Sequence, residues 1–384
     1  SPQLEGYTTK NVADLPIPAL SGDPINLAVI APGTTSMPGG VAGEGGAIGG
    51  NRPRNNNFVV DGVDNNDPSV TGSLSPVIQD AIEEFTLLTN QFSAEYGHST
   101  GGQFITTTKS GTNELHGRAW WYSQNRNLNS LDNTTRAVTE AGADKPRYDY
   151  NRFGGQLGGP LVRDKWFLFG SVEYRNLTLA GAPSGAIAVP TEAGLSTLEA
   201  LAADPASGIS PLNVGLLRQH VPVAGAPTST FNVTNEATGQ QVPIEFGQFS
   251  ATSPNYDRTH LFLITTDYQT ANHRLAGRFH YSRNRAIEAG ELPVEAFNNG
   301  VVFDTRRFTF SDVWTARPTL VNEFRLGFVR AVSDFPVNLP PAPGEADVFG
   351  NYGINELSLF IGPDSNLPQG GSDNIYQVTN NITW

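Results

Sequence analysis

Stretches of about ten residues in which apolar and polar side chains take turns recur along the last two thirds of this chain, and they restrict its fold more than any other feature. In Arg274 to Arg283, the residues Leu275, Gly277, Phe279 and Tyr281 alternate with Arg274, Ala276, Arg278, His280 and Ser282. In Trp166 to Arg175, the set Trp166, Leu168, Gly170, Val172 and Tyr174 opposes Phe167, Phe169, Ser171, Glu173 and Arg175, with aromatics bracketing the apolar set. Leu320 to Arg330 sets Leu320, Asn322, Phe324, Leu326 and Phe328 against Val321, Glu323, Arg325, Gly327 and Val329, with Asn322 a blemish. Successive side chains of a strand point to opposite faces, so each segment carries one greasy and one wet face. A membrane barrel needs this pattern: its strands pair every backbone group with a neighbour, turn apolar side chains to lipid and keep polar ones in the lumen.

Eight such segments occur, at about 115–124, 148–158, 165–175, 258–268, 274–283, 305–314, 320–330 and 374–384. Their connections alternate in length. Short turns at 159–164, 269–273 and 315–319 separate long gaps, the longest running from Asn176 to Asp257. Outer-membrane barrels have short periplasmic turns and long extracellular loops, so the first strand is expected to rise from the periplasm. A soluble β-sandwich would also show period two, but it does not predict long loops at one end only. A lumen bounded by eight strands is filled by its own side chains, whereas barrels that enclose a separate domain use roughly 22, so the residues that precede the first segment would fit only inside a larger wall. Edges cannot stay open to lipid, and the remaining strands are expected from sequence after Trp384 or from a second chain.

Composition narrows the function. The 41 Gly and 27 Pro indicate many turns, and the absence of cysteine removes disulfides, thiolate metal sites and cysteine nucleophiles. A net charge of −13 with only 16% charged residues offers no basic field to a polyanion, which argues against nucleic acid as a partner. No apolar run approaches the roughly 20 residues of a spanning helix. Residues 1–20 lack the basic start and apolar core of a signal peptide, and Ser1-Pro2 is no initiator, so the chain is expected to begin after processing. The histidines His98, His116, His220, His260, His273 and His280 form no HExxH or paired metal spacing, and no GxSxG elbow is present. The chain is expected not to be an enzyme.

Residues Ile82 to Lys109 combine an acidic apolar strand (Ile82 to Leu88, including Glu84), a Tyr96-Gly97 turn, the pair Gly101-Gly102, and a threonine-rich strand through Thr106 and Thr108 to Lys109. In this order and spacing they resemble the closing motif of the plug in TonB-dependent outer-membrane receptors and transporters. The glycines would supply sharp turns, with positive φ where needed, and Ser75-Pro76 and Gln79-Asp80 are helix-start signals. Asn11 to Gly33 and Asn55 to Asp67 resemble plug segments of the Oar-like branch of the same family. The resemblance implies an α+β plug domain at 1–112, followed at 113–384 by antiparallel transmembrane β-barrel strands, about eight of a roughly 22-stranded barrel. It implies residence in the bacterial cell outer membrane and a transporter that binds a solute outside and admits it by plug rearrangement. Implied partners are outer-membrane lipid, a periplasmic TonB-type energy-coupling protein, an unknown solute, and the rest of the barrel or a second chain. Two departures stand: no segment that would engage TonB is recognisable, and the carboxypeptidase-regulatory-like domain common in this branch is absent. The alternative is a barrel that acts as a scaffold or surface interaction protein without transport, and an all-β secreted hydrolase is a third reading without a candidate triad.

Candidate site residues follow from these expectations. The glycine-rich tract from Gly39 to Gly50 lacks the Gly-Lys-Ser/Thr of a phosphate loop and reads as a flexible apical loop. Beyond it Arg52, Arg54, Asn55 and Asn56 could touch solute from below, or simply be solvated. Arg274, Arg278 and His280 share the inward face of one strand, as an anion-attracting stripe or as residues that line a wet lumen and hydrogen-bond the plug. Asp61, Asp64, Asn65 and Asp67 invite calcium as a cofactor, but their spacing is not that of an EF-hand, and an Asx turn is the competing reading. The loop 176–257 holds two helix-like stretches, Glu192 to Ala203 capped by Thr191 and Pro211 to His220, and is expected outside the cell, over the mouth or against another protein.

Overall fold

The computed structural model of the chain describes residues 3–8, 24–35, 44–69, 71–90, 97, 99–128, 130, 136, 145, 147–180, 187–250, 254–288, 290, 292, 294–337, 339–341, 344, 349–354 and 359–384. Its N-terminal body contains β1 (Gln3–Thr8), a short hairpin of β2 (Thr34–Thr35) and β3 (Ala47–Ile48), β4 (Asn57–Val60), β5 (Val63–Asp64), β6 (Ile82–Asn90) and β7 (Gln103–Thr108). Five of these form one sheet in the order β1-β6-β7-β4-β5, in which β4 runs parallel to β7. Alternation in β6 turns Phe85 and Leu87 inward onto Phe58, Val60 and Phe104, and the turn Pro24–Ile30 seats Leu27 and Ala28 on the same core. Of the expected helix starts, Gln79-Asp80 gives only a 3-10 turn, Gln79–Ala81, and Ser75-Pro76 gives none; a further 3-10 helix covers Pro24–Ile30, and no α-helix occurs among the described residues of this body. Around Gln79–Ala81, β-branched Val77, Ile78 and Ile82 favour extended backbone, so the helix signal extends no further than three residues.

The wall is an open sheet of eight antiparallel strands: β8 (His116–Asn125), β9 (Tyr148–Val162), β10 (Trp166–Ala180), β14 (Pro254–Gln269), β15 (His273–Glu288), β16 (Asn299–Arg317), β17 (Leu320–Phe335) and β20 (Gln369–Thr383). All eight sequence segments are strands, and most run several residues further than the alternation alone indicates. The extra length lies mainly at their long-loop ends and in β9, where Gly159 to Val162 pairs with β10 instead of turning. The tight turns are 163–165, 270–272 and 318–319. Faces fall as the alternation requires. Phe169, Ser171, Glu173 and Arg175 are buried, whereas Val172 and Trp166 are 51% and 43% exposed. No pairing joins β8 to β20, so the sheet does not close.

The connections at the other ends gather into a cap. Residues 181–253, rather than the whole of 176–257, lie between β10 and β14. They hold β11 (Ile187–Pro190), α1 (Glu192–Ala202), α2 (Pro211–His220), β12 (Ser229–Asn235) and β13 (Gln240–Phe249), with sheet order β11-β13-β12. The Thr191 hydroxyl accepts from the Gly194 backbone N–H at 3.1 Å, the expected cap of α1. One hydrophobic core unites Leu195, Leu217 and Ile244 with Leu292 and Phe297 from the β15–β16 connection. It also takes Phe349, Leu359 and Ile361 from the β17–β20 connection, which carries a hairpin of β18 (Tyr352–Ile354) and β19 (Leu359–Ile361).

Candidate functional site

The N-terminal body lies against the buried, polar face of the wall, and the contacts between the two are mostly charged or hydrogen-bonded. The alternation of β9 and β10 places Arg152, Glu173 and Arg175 inward, and the turn Gln79–Ala81 presents Asp80 to them. Asp80 accepts from Arg152 at 3.0 Å and from Arg118 at 3.1 Å, and the Tyr122 hydroxyl donates to it at 3.3 Å. Glu173 accepts from Arg175 at 2.7 Å and from the Trp120 indole N–H at 3.0 Å. Arg152 also donates to Gln79 and stacks 4.3 Å over the Tyr122 ring, while Arg175 reaches the Val77 carbonyl. The side chains of Asp80 and Glu173 are fully buried, so the buried Arg152 and Arg175 share two carboxylates out of water, while Arg118 reaches Asp80 from an exposed position. Burial pushes the Asp80 carboxyl above its usual range, a rise that Arg152 and Arg118 only partly offset. Lys109 donates to the Asp80 carbonyl at 2.7 Å, and burial lowers its pKa.

A second buried contact lies lower on the wall. Asp61, which has a positive φ of 51°, accepts from the Thr108 backbone N–H at 2.9 Å and from its hydroxyl. His280 stands 3.1 Å away. Burial works against the charge on Asp61, but the bond and charge of His280, the Thr108 N–H and the charge of Arg278 outweigh it and hold the carboxyl below its usual range. Beside them Arg307 is 1% exposed, and its three guanidinium nitrogens make no hydrogen bond among the described residues. Farther along the seam, the Asp64 N–H donates to Gln377 and the Ser69 hydroxyl to Asp373. The apolar share is small among the described residues: Ile78 and Ala81 of the body join Trp120, Phe169, Leu261 and Leu263 of the wall in a buried cluster, and Val63 packs against Gly327.

The inward stripe on β15 therefore divides by height. His280 meets the body, Arg278 pairs with Asp267 of the wall at 2.8 Å, and Arg274 is exposed near the short turn. Arg52 and Arg54 are exposed, but Asn56 is buried and consumed: its amide donates to the Glu44 and Gly46 carbonyls and accepts from the Gly102 N–H. The Asn55 carbonyl accepts from Gly101 N–H at 3.0 Å. These bonds tie the described part of the glycine tract, 44–50, into the β2–β3 hairpin instead of a loose loop. Gly101 and Gly102 do not have positive φ; they are needed for close approach. A Cβ on Gly101 would lie 2.5 Å from the Asn56 Oδ1, and one on Gly102 would lie 2.4 Å from the Ile48 side chain. Gly97 and Glu84 are exposed, Thr108 bonds Asp61, and Tyr96 lies outside the described residues. Asp64 and Asp67 each accept from residues two positions on, Asn66 and Ser69, as Asx turns do. Among the described residues no three His, Asp or Glu side chains are grouped to hold a metal.

Asp80, Arg152 and Arg307 escape a reading of faces, because which inward residues meet the body depends on contacts far apart in sequence. Glu173 and Arg175 were visible as a charged pair on an otherwise greasy strand, a signal that buried partners must exist.

Comparison with known proteins bears on this arrangement. The family described as "Outer membrane beta barrel domain" matches residues 107–384. The TonB-dependent transporter Oar of Myxococcus xanthus is 33% identical over 150 residues, covering 38% of this chain and 13% of Oar. Among solved structures, the outer membrane transporter YddB of Escherichia coli superposes with a TM-score of 0.64 at 10% identity, covering 99% of this chain and 45% of YddB. A mutant of the ferric enterobactin receptor PfeA of Pseudomonas aeruginosa, solved with enterobactin, gives 0.53 at 13% identity, covering 99% of this chain and 46% of that one. The chain thus spans less than half the length of these proteins, and the structural likeness is one of fold.

Proposed function

Since this chain belongs to the outer membrane β-barrel family and resides in the bacterial outer membrane, we propose that its N-terminal body is the plug of a TonB-dependent transporter. Its eight wall strands would be part of a barrel of roughly 22. The observation that carries this reading is the character of the seam. The body has an apolar core of its own, while its docking to the wall rests on Asp80, Arg152, Glu173, Asp61 and His280. A buried ion-pair network adds little net stability over an apolar contact but demands one geometry, so it suits a body that docks in register and can leave. Solute would bind from outside, with Arg52 and Arg54 toward it, and a periplasmic TonB-type protein would supply the energy. The chemistry is recognition and gating, with two plug states of unequal solute affinity.

A disulfide can test this cleanly because the sequence has no cysteine. A Cβ on Gly327 would lie 3.4 Å from the Val63 Cβ, close to disulfide geometry. In the full-length protein in vesicles, Val63→Cys with Gly327→Cys should stop solute uptake when oxidised and recover it when reduced. Equal uptake in both states would refute plug movement. The cap, with its own core, favours a second role as a surface interaction module. Deleting about 180–255 should then abolish partner binding while sparing uptake, and loss of neither would dismiss that role.

A further inference from the structure

The outward face of the wall carries a cluster of positive charge that neither the seam nor gating uses. On β14 to β17, the inward residues Thr259, Leu261, His280, Ser282, Thr305, Arg307 and Val329 are buried. Their alternates therefore point away from the body, toward lipid. Toward the capped ends of these strands those alternates are His260, Arg258, Arg283, Arg285, Arg306 and Arg330. They are neighbours by register: Arg258 is paired with Arg285, Arg283 with His260, and Arg306 with Arg330. Immediately nearer the periplasm, the same face becomes apolar, with Phe262, Ile264, Phe279, Phe308 and Phe328 in adjoining rows.

Like charges directly across a strand pair repel, and this face holds two such arginine pairs, separated by one row in which Arg283 faces His260 on one side and Asp304 on the other. Internal compensation is thin. Arg306 is 3.3 Å from Asp304, whose other oxygen accepts from the Tyr281 hydroxyl; Arg330 donates to the neutral Asn374; and Arg258 stacks 4.6 Å over the Tyr256 ring. Asp334 is a second carboxylate on the same rows. Arg283 is half-buried, and its Nε has no hydrogen-bond partner. The chain as a whole carries −13, so general basicity does not explain five arginines on one patch.

We propose that this belt binds the phosphate groups of an outer-leaflet lipid headgroup, with the acyl chains lying on the aromatic rows beneath. Paired guanidiniums form charge-assisted, bidentate bonds to phosphate, and a lipid supplies apolar and anionic parts at the spacing of the two rows. The belt thus fixes the height of the wall in the bilayer and holds a specific lipid between β14 and β17. The proposal requires only outer-membrane residence, so it stands or falls apart from transport.

The test uses the full-length protein in neutral detergent, titrated with bis-phosphorylated lipid A, with the same lipid after removal of its phosphates, and with inorganic phosphate. Thermal stabilisation and native mass spectrometry serve as readouts. Phosphorylated lipid should bind saturably, and the dephosphorylated lipid should bind about tenfold or more weakly. Inorganic phosphate should neither stabilise nor compete. Arg306→Gln with Arg330→Gln should weaken binding of the phosphorylated lipid by about tenfold to a hundredfold, and Arg306→Lys with Arg330→Lys, which keeps the charge but loses the bidentate fork, should weaken it less than the glutamine pair. Equal binding of both lipids by the unaltered protein, competition by inorganic phosphate alone, or unchanged binding in a folded glutamine variant would overturn the proposal. The lipid comparison decides even if the glutamine variant fails to fold.

Discussion

Asp61 and Asp80 face the same wall but respond to acid in opposite directions. The Asp61 carboxyl is held below its ordinary value of 3.8, so its contribution is fully present above that value and is lost as pH falls through the lowered one. The Asp80 carboxyl is raised above 3.8, so the native state takes up a proton there before the unfolded chain does. Stability should therefore rise as pH falls through the raised value and level off below 3.8. Melting temperatures across this range should show the rise flattened by Asp80→Asn and the loss at lower pH flattened by Asp61→Asn. Identical profiles in both variants and the parent would contradict the assignment. At this scale the sequence was partly legible. His280, read as an inward residue, lies 3.1 Å from Asp61 of the N-terminal body, whereas Asp80 looked like a helix start and its burial came only from the docked turn.

At the scale of elements, wall and cap were unequally readable. Period-two alternation marks each wall strand because lipid lies on one side and polar groups on the other. The helices of the cap were legible as well, the first of them with its cap Thr191. Its sheet was not. β11 has four residues and reaches its partner β13 only across two helices, and β12, which forms a hairpin with β13, is largely exposed. Nor does local pattern reveal that Phe297, on a different connection, is completely buried against α2 and its surroundings. Phe297→Ala should destabilise the cap by about 3–5 kcal/mol. Hydrogen exchange should then accelerate in α1 and α2, more than 70 residues earlier in the chain, and leave the wall strands unchanged. Loosening confined to residues near 297 would mean that the three connections do not share one cooperative core.

At the scale of the whole molecule, no strand among the described residues lies beside the outer edges of β8 and β20. Such edges are untenable in hydrocarbon, where each unsatisfied group costs several kcal/mol. Residues 1–384 expressed alone should accordingly fail to insert as monomers and should associate through these edges. Light scattering in detergent measures this directly, and a monodisperse, membrane-inserted monomer would contradict it. The expected division into a body at 1–112 and a wall from 113 rests on one motif that ends just before the alternation begins. The seam was not, since it joins residues as distant as Asp64 and Gln377.

Because Leu195, Phe297 and Leu359 meet in one core although they belong to three separate hairpin connections, none of those connections is free to diversify alone. A change of size in one must be matched by the others, so the outward surface of this protein should vary in coordinated sets of substitutions, and grafting a single loop from a relative should fail where exchanging all three succeeds.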